Sequence, residues 1–308
     1  MAIETVQFSV DRPGRFMGVD IEVAGDASVT ITQPVGPHLF DHRGQITLAS
    51  VGVFTDFAAG VPAGLARFAA TGERPQGVLS HLTATLAHPF PTSGTLVGRG
   101  HGLFFDESTG VSRTDVRDEQ GVLVAHLVGR SIVVGRAPAG EPEAGTAEAV
   151  PPRDEPEAWS DAAVLTELPG PDIVSAISVG SLPRGPLAGL LGLEVTTAER
   201  GIVRARVSPR EWMANVLGSV QGGVLVSMAE SVTGLAAQTL TEIGQHYRVL
   251  EIGLDYLRSP AAPGPVIEVR SEAVRTGRRL ASFETTLSAA DGTVYVRAHA
   301  NVQLVSAV

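Results

Sequence analysis

Asn215-Val216-Leu217-Gly218-Ser219-Val220-Gln221-Gly222-Gly223-Val224-Leu225-Val226-Ser227-Met228-Ala229-Glu230 is the stretch whose reading decides the fold. A polar turn through Asn215 and Gly218 runs into a glycine pair, and an apolar segment follows to Leu240 whose only charge is Glu230. Ala, Leu and Met favour a helix here, and Gly222 and Gly223 sit where its first free N–H groups would point outward. Such a terminus carries partial positive charge and suits an anion or a developing oxyanion. A lone carboxylate on an otherwise buried helix is costly unless it is paired or used. The plainer reading is a helix with ordinary glycine punctuation and one solvated Glu.

The 308 residues suggest two domains of ordinary size, and 44% hydrophobic against 18% charged residues supply a substantial core. The net charge is −10, every basic residue is Arg, and no basic run occurs, so nothing marks a nucleic-acid partner. The chain has no cysteine, which excludes disulfides, thiolate metal sites and a Cys nucleophile. The start of the sequence lacks a basic-then-apolar signal, and no apolar run reaches about 18 residues without interruption. The expectation is a cytoplasmic protein with no membrane partner.

Residues 137–160 are rich in Pro, Ala, Gly and Glu and read as a linker. They separate residues 1–136 from 161–308, and a faint repeat spans the divide. Phe16-Met17-Gly18-Val19 matches Leu190-Leu191-Gly192-Leu193 at an offset of 174 (192 − 18). At that offset Asp41 falls on Asn215, Gly44 on Gly218 and Asp56 on Glu230. Beyond the helix the offset becomes 171 (257 − 86), pairing Leu86 with Leu257, Pro89 with Pro260 and Gly121 with Gly292. The chain therefore reads as a duplication. In the second half, a short strand over 202–207 precedes the helix, and strands follow near 248–258, 265–275, 279–289 and 293–305. The last alternates, with Val294, Val296, Ala298, Ala300, Val302 and Leu304 on one face. In the first half the helix is expected near 46–60 and strands near 78–88, 94–105, 111–117 and 122–135. One long helix among antiparallel strands is an α+β arrangement in which a sheet wraps a mostly apolar helix.

The pattern Asn215-x-x-Gly218-x-x-Gln221-Gly222-Gly223, with Glu230 seven residues after the second glycine of the pair, resembles the signature of hot-dog-fold acyl-CoA thioesterases of the phenylacetate-pathway (PaaI) type. Gly185-Pro186-Leu187-Ala188, Ser259-Pro260-Ala261-Ala262-Pro263-Gly264 and Arg275-Thr276-Gly277-Arg278-Arg279-Leu280 agree with it. The resemblance covers roughly 185–305; only the repeat extends it to a degenerate first domain. It implies two hot-dog domains in tandem, each an antiparallel sheet around one central helix, with active sites between them. It also implies a chemistry: a backbone N–H holds the thioester oxygen while a carboxylate activates water or attacks directly. Carried over by position, the N–H donor is Gly222, the side-chain amide is Asn215, and Gln221 replaces the His of many relatives and cannot titrate. Each carboxylate faces the glycine turn of the opposite half, so Asp56 joins Asn215, Gln221, Gly222 and Gly223 at one site. Glu230 joins Asp41, Gly44 and Leu48 at the other, where the Gly-Gly pair has become Leu48-Ala49. A negative Asp41 there would oppose an oxyanion, which favours the Asp56 site. Arg275, Arg278 and Arg279 are candidates for the phosphates of coenzyme A, although charged turns are commonly just solvated. Coenzyme A enters only as part of the substrate, no cofactor or metal is implied, and two chains would pair as a homodimer through sheet or helix faces.

Other signals carry less. His38-Leu39-Phe40-Asp41-His42 has metal-like spacing without a further ligand cluster. Gly98-x-Gly100-x-Gly102 sits in strand text with no helix after it, and no Gly-x-Ser-x-Gly elbow is present. Ser80 and His81 read as core or surface residues of a strand. A hot-dog dehydratase would need a His about five residues after the Asp, where Val61 stands. The remaining rivals are a non-hydrolytic acyl-CoA or acyl-carrier binding protein with a vestigial site and an interaction scaffold with a vestigial pocket.

Overall fold

The computed structural model describes residues 10–24, 28–72, 77–134 and 158–306. In the first half, α1 (Arg12–Met17) leads to β1 (Asp20–Val23) and β2 (Val29–Val35), then to the central helix α2 (Gly52–Thr71). Four strands follow: β3 (Gly77–Leu86), β4 (Gly94–Phe105), β5 (Thr109–Arg117) and β6 (Leu123–Val133). The second half adds α3 (Ala162–Glu167) and α4 (Gly170–Ser178), then repeats the plan. There α5 (Pro186–Leu191), β7 (Glu194–Glu199) and β8 (Ile202–Val207) precede α6 (Gly222–Gln238). β9 (Gln245–Tyr256), β10 (Ile267–Thr276), β11 (Leu280–Ser288) and β12 (Val294–Ser306) complete it. All twelve strands form one antiparallel sheet in the order β1-β2-β4-β5-β6-β3-β9-β12-β11-β10-β8-β7. The two halves join where β3 pairs with β9, and there His81 Nδ1 meets Asp255 Oδ1 at 2.7 Å.

Three irregularities of the ladders recur in both halves, while a fourth, at Thr196 in β7, has no counterpart in β1. The unpaired extra residues are Leu103 in β4 and Val274 in β10, then Val124 in β6 and Tyr295 in β12, each pair 171 apart (274 − 103, 295 − 124). Ser80 in β3 and Leu250 in β9 form a third pair, 170 apart (250 − 80). Bulges re-aim every side chain after them, so these pairs fix which residues of the halves occupy equivalent places. The turns before the helices are equivalent as well. Asp41 Oδ1 accepts from the N–H groups of Arg43 and Gln45, and Asn215 Oδ1 from those of Leu217 and Ser219.

β12 alternates as expected, with Val296, Ala298, Ala300, Val302 and Leu304 buried. Three expectations need correction. The first-half helix was expected near 46–60, yet α2 runs to Thr71. Proline lacks the N–H that would bond Ala58 O; Thr114 Oγ1 donates to that carbonyl instead, at 2.6 Å, so the helix continues. The helix also starts late, because residues Ala49–Val51 form a 3-10 turn. The short strands β1, β2 and β7 had no counterpart in the expected set. Of the expected linker, residues 137–157 lie outside the described residues, whereas Trp159 packs edge-on against Phe40 with ring centroids 5.0 Å apart.

The two central helices touch backbone to backbone. A Cβ on Gly223 would lie 2.2 Å from Gly52 O and 2.4 Å from Val53 Cα, and one on Gly52 would lie 2.3 Å from Gly223 O. Ser227 Oγ donates to Ala49 O at 2.6 Å beside this contact and ties α6 to the first half. Ala49–Thr71 is long and apolar enough to cross a membrane, but it is mostly buried as this core helix. A methyl forced into such a contact displaces backbone and costs about 1–3 kcal/mol. Gly223→Ala should therefore lower the melting temperature by several degrees, and an unchanged melt would show that the helices do not pack this closely.

Candidate functional site

The start of α6 is shaped by local bonds. Gly218 takes the left-handed conformation (φ 74°) that closes the Asn215 turn, and Gln221 N–H donates to Met213 O at 2.9 Å. The first bonded N–H of the helix is that of Val224, to Gln221 O at 3.0 Å. The Gly222 and Gly223 N–H groups are thus left over at the terminus, as helix geometry requires.

The helix crossing brings Asp56 to this terminus. A Cβ on Gly222 would lie 2.4 Å from Asp56 Oδ1 and 3.4 Å from Tyr256 Cε1, so only glycine lets the carboxylate stand there. Asp56, Asn215, Gln221 and Gly222 line one cavity of about 280 Å³. Gln221 is 1% exposed, and among the described residues neither its Oε1 nor its Nε2 has a hydrogen-bond partner. A buried amide unpaired at both ends is costly, and a ligand presenting an acceptor and a donor would relieve it. Asn215 lines the cavity too, but its Oδ1 is held by the turn, which leaves its Nδ2 as the group available to a ligand.

Gly223 faces Gly52 rather than the cavity, so it serves packing. Arg275, Arg278 and Arg279 are exposed around the β10–β11 hairpin and do not line this cavity. The hairpin that does is β4–β5, through Phe105, Thr109 and Gly110. Two other arginines border the cavity: Arg258, and Arg67, whose Nη1 donates to Asp106 O (2.8 Å) and Glu107 O (2.9 Å). Tyr256 and Asp11 were also missed. Tyr256 donates its hydroxyl to Gly222 O at 3.4 Å, and burial together with the Asp56 charge holds its phenol protonated, well above 10. Asp11 caps α1 by accepting from Gly14 N–H at 2.9 Å. The sequence signal for Asp11 was only that of a cap, an Asp two residues before Pro13.

Burial, and secondarily the charge of Asp11, push Asp56 up to about 7. Burial pushes Asp11 up to about 6 against the pull of Gly14 N–H and Arg15. Two acids confined in one cavity resist ionising together.

The mirror-related position is closed. Glu230 is 3% exposed and accepts from Thr47 Oγ1 (2.9 Å) and Ala49 N–H (3.2 Å). Burial raises its pKa while Thr47 and Arg43 oppose the rise. Asp41, expected to repel an oxyanion here, is instead neutralised: Arg43 bonds its Oδ2 through Nε (2.8 Å) and Nη2 (2.7 Å). Against the cost of burial, Arg43 and His42 hold Asp41 below its usual range. The same guanidinium lies 3.7 Å above the Tyr247 ring. The space left beside Glu230 is about 30 Å³, room for little more than a water or two.

Residues 217–296 match the family model described as thioesterase superfamily. The match lies within the second half of the chain. Similar solved structures span nearly the whole chain. One is a conserved protein of unknown function with a hot dog fold from Alicyclobacillus acidocaldarius, at 11% identity and TM-score 0.59, covering 97% of this chain and 100% of that one. Another is acyl-CoA thioesterase II TesB2 from Mycobacterium marinum, at 9% identity and TM-score 0.58, covering 96% and 98%. A third is a putative thioesterase from Novosphingobium aromaticivorans, at 16% identity and TM-score 0.54, covering 92% and 98%. At such identities the likeness is one of fold, and the fold is the hot-dog fold. No curated protein matches the chain.

The raised Asp56 pKa has a definite sign for stability. A carboxyl whose folded pKa exceeds its unfolded value contributes stability below about 3.8 that is lost as pH rises through about 7. Asp56→Asn should therefore melt progressively higher than the parent between pH 5 and pH 8. A difference that shrinks or reverses over that range would contradict the buried, proton-retaining carboxyl.

Proposed function

We propose that the chain hydrolyses acyl-CoA thioesters at a single site between the halves. The observation that carries this reading is the Asp56 carboxyl set against Gly222 at the start of α6 inside a cavity, beside the unpaired Gln221 amide. One structural relative bears the name acyl-CoA thioesterase, and the thioesterase family match covers the glycine pair and Glu230.

In the proposed reaction the thioester carbonyl oxygen lies at the start of α6, and Asp56 takes a proton from a water. The water oxygen attacks the carbonyl carbon, and the negative charge that develops on the oxygen is met by Gly222 N–H and the helix terminus. The C–S bond then breaks as the oxyanion collapses, and the sulfur takes the proton from Asp56. A thiol of pKa near 8.5 leaves without a strong acid. Asp56 must be ionised to act as base, so turnover should rise with pH around the midpoint near 7. Gln221 Nε2 adds a second donor for the carbonyl, and Arg258 and Arg67 are placed at the border of the cavity to meet phosphate.

Glu230 has no comparable task, since its carboxylate is engaged by Thr47 and Ala49 in a space too small for an acyl group. Asp56→Asn should lower thiol release from acyl-CoA by at least about 10²-fold, whereas Glu230→Gln should cost far less. Equal losses would overturn the assignment. Tight coenzyme A binding without thiol release by the parent protein would replace it with a non-hydrolytic acyl-CoA-binding role.

A further inference from the structure

The site's shape raises a question that the chemistry leaves open: why one mirror-related position is hollow and the other filled. Along α2, Asp56, Gly60, Gly64 and Arg67 fall at helical spacing on one face that lines the cavity. The face rises about 16 Å from Asp56 to Arg67. Glycine leaves it bare. A Cβ at Gly64 would meet nothing within 4 Å, and one at Gly60 only Leu79 Cγ at 3.9 Å. Across the channel, a Cβ at Gly77 in β3 would come no nearer than 3.7 Å to any neighbour.

The recurring bulges identify the counterparts in the second half. By the 170-residue spacing of Ser80 and Leu250, Gly77 corresponds to Tyr247; by the 174-residue spacing of Asp56 and Glu230, Gly64 corresponds to Gln238. Both counterparts carry larger side chains: Tyr247 lines the small space beside Glu230, and Gln238 is buried where Gly170, at the start of α4, packs against its carbonyl. A Cβ on Gly234, the counterpart of Gly60, would lie 2.6 Å from the Tyr247 hydroxyl. Gln238 bridges His42 Nε2 (3.3 Å) and Thr241 Oγ1 (2.8 Å), and Arg43 covers Tyr247. The cavity shrinks from about 280 to about 30 Å³.

We infer that Gly64 and Gly77 are specificity-determining positions: they hold open a channel that takes the unbranched arm of a thioester substrate, and their counterparts Gln238 and Tyr247 seal the second site. The inference rests on the thioesterase reading and deepens it. A channel along a bare helix face suits either of the two linear parts of such a substrate, the pantetheine arm or an extended acyl chain.

The test is a substrate grid on the full chain and its Gly64→Gln and Gly77→Tyr variants, using acetyl and dodecanoyl thioesters of both coenzyme A and N-acetylcysteamine. One extra group in an apolar pocket changes selectivity by about 10–200-fold, so kcat/KM should fall at least about tenfold for the substrates whose arm enters the channel. Acetyl-N-acetylcysteamine, which has neither arm, should stay within about twofold. A loss that follows coenzyme A whatever the acyl group places pantetheine in the channel; a loss that follows acyl length on both carriers places the acyl chain there. Equal changes across the grid, or none, in variants that melt like the parent would overturn the inference. Should the larger substitutions fail to fold, Gly64→Ala, whose methyl meets open space, must show the same selective pattern at smaller size. If the parent releases no thiol from any substrate, the hydrolytic reading fails by itself. The channel is then judged by calorimetry with coenzyme A and with dodecanoate: Gly64→Gln must weaken at least one of them tenfold, and unchanged binding of both overturns it.

Discussion

The crossing of the two central helices at Gly52 and Gly223 is the constraint on which the site depends. Ridges of side chains ordinarily keep helix axes about 8–10 Å apart; here backbone meets backbone, with no room for a methyl on either side. Only that approach puts a carboxylate from the fifth residue of α2 against the first residue of α6. The sheet serves the crossing, since the β3–β9 seam fixes how the halves face one another.

The halves have taken different courses with one plan. Their turns keep the same hydrogen bonds and their strands three of the same bulges, so the backbone scaffold is shared. The side chains are not. On one side, small residues leave a hollow and a carboxyl that ionises reluctantly, which is the usual signature of a site that stores cost for use. On the other, Asp41, Arg43 and Tyr247 satisfy one another beside Glu230, while Gln238 pairs with His42 and Thr241. Buried charges stay affordable there because Arg43 bonds Asp41 through two nitrogens and Glu230 through neither, leaving Glu230 to Thr47 and Ala49. Removing one partner of the Asp41–Arg43 pair would strand the other, and buried pairs cost most when broken that way.

Much of this was legible in the residues. Strict alternation placed β12, and continuous apolar text with one acid placed both central helices. The repeat, joined to the thioesterase-like turn, sets Asp56 opposite Gly222. What stayed hidden was non-local. The length of α2 depends on Thr114, more than fifty residues later, capping the carbonyl that Pro62 leaves free. The edge strands β1 and β7 are short and largely solvent-facing, so they lack a hydrophobic alternation. Asp11 and Tyr256 reach the cavity from elements far apart in sequence. The arginine hairpin was legible as charge, yet its distance from the hollow site follows from strand order alone. The filling of the second site by Tyr247 hinged on one extra residue in β9, which shifts the facing of every side chain on one side of it.

The most direct test of the single-site account is a crystal structure of the protein with a non-hydrolysable thioether analogue of an acyl-CoA. The account predicts one ligand per chain, its sulfur between Asp56 and the Gly222 N–H, with the space beside Glu230 still closed by Tyr247. A ligand seated against Glu230, or two ligands per chain in equivalent poses, would contradict it.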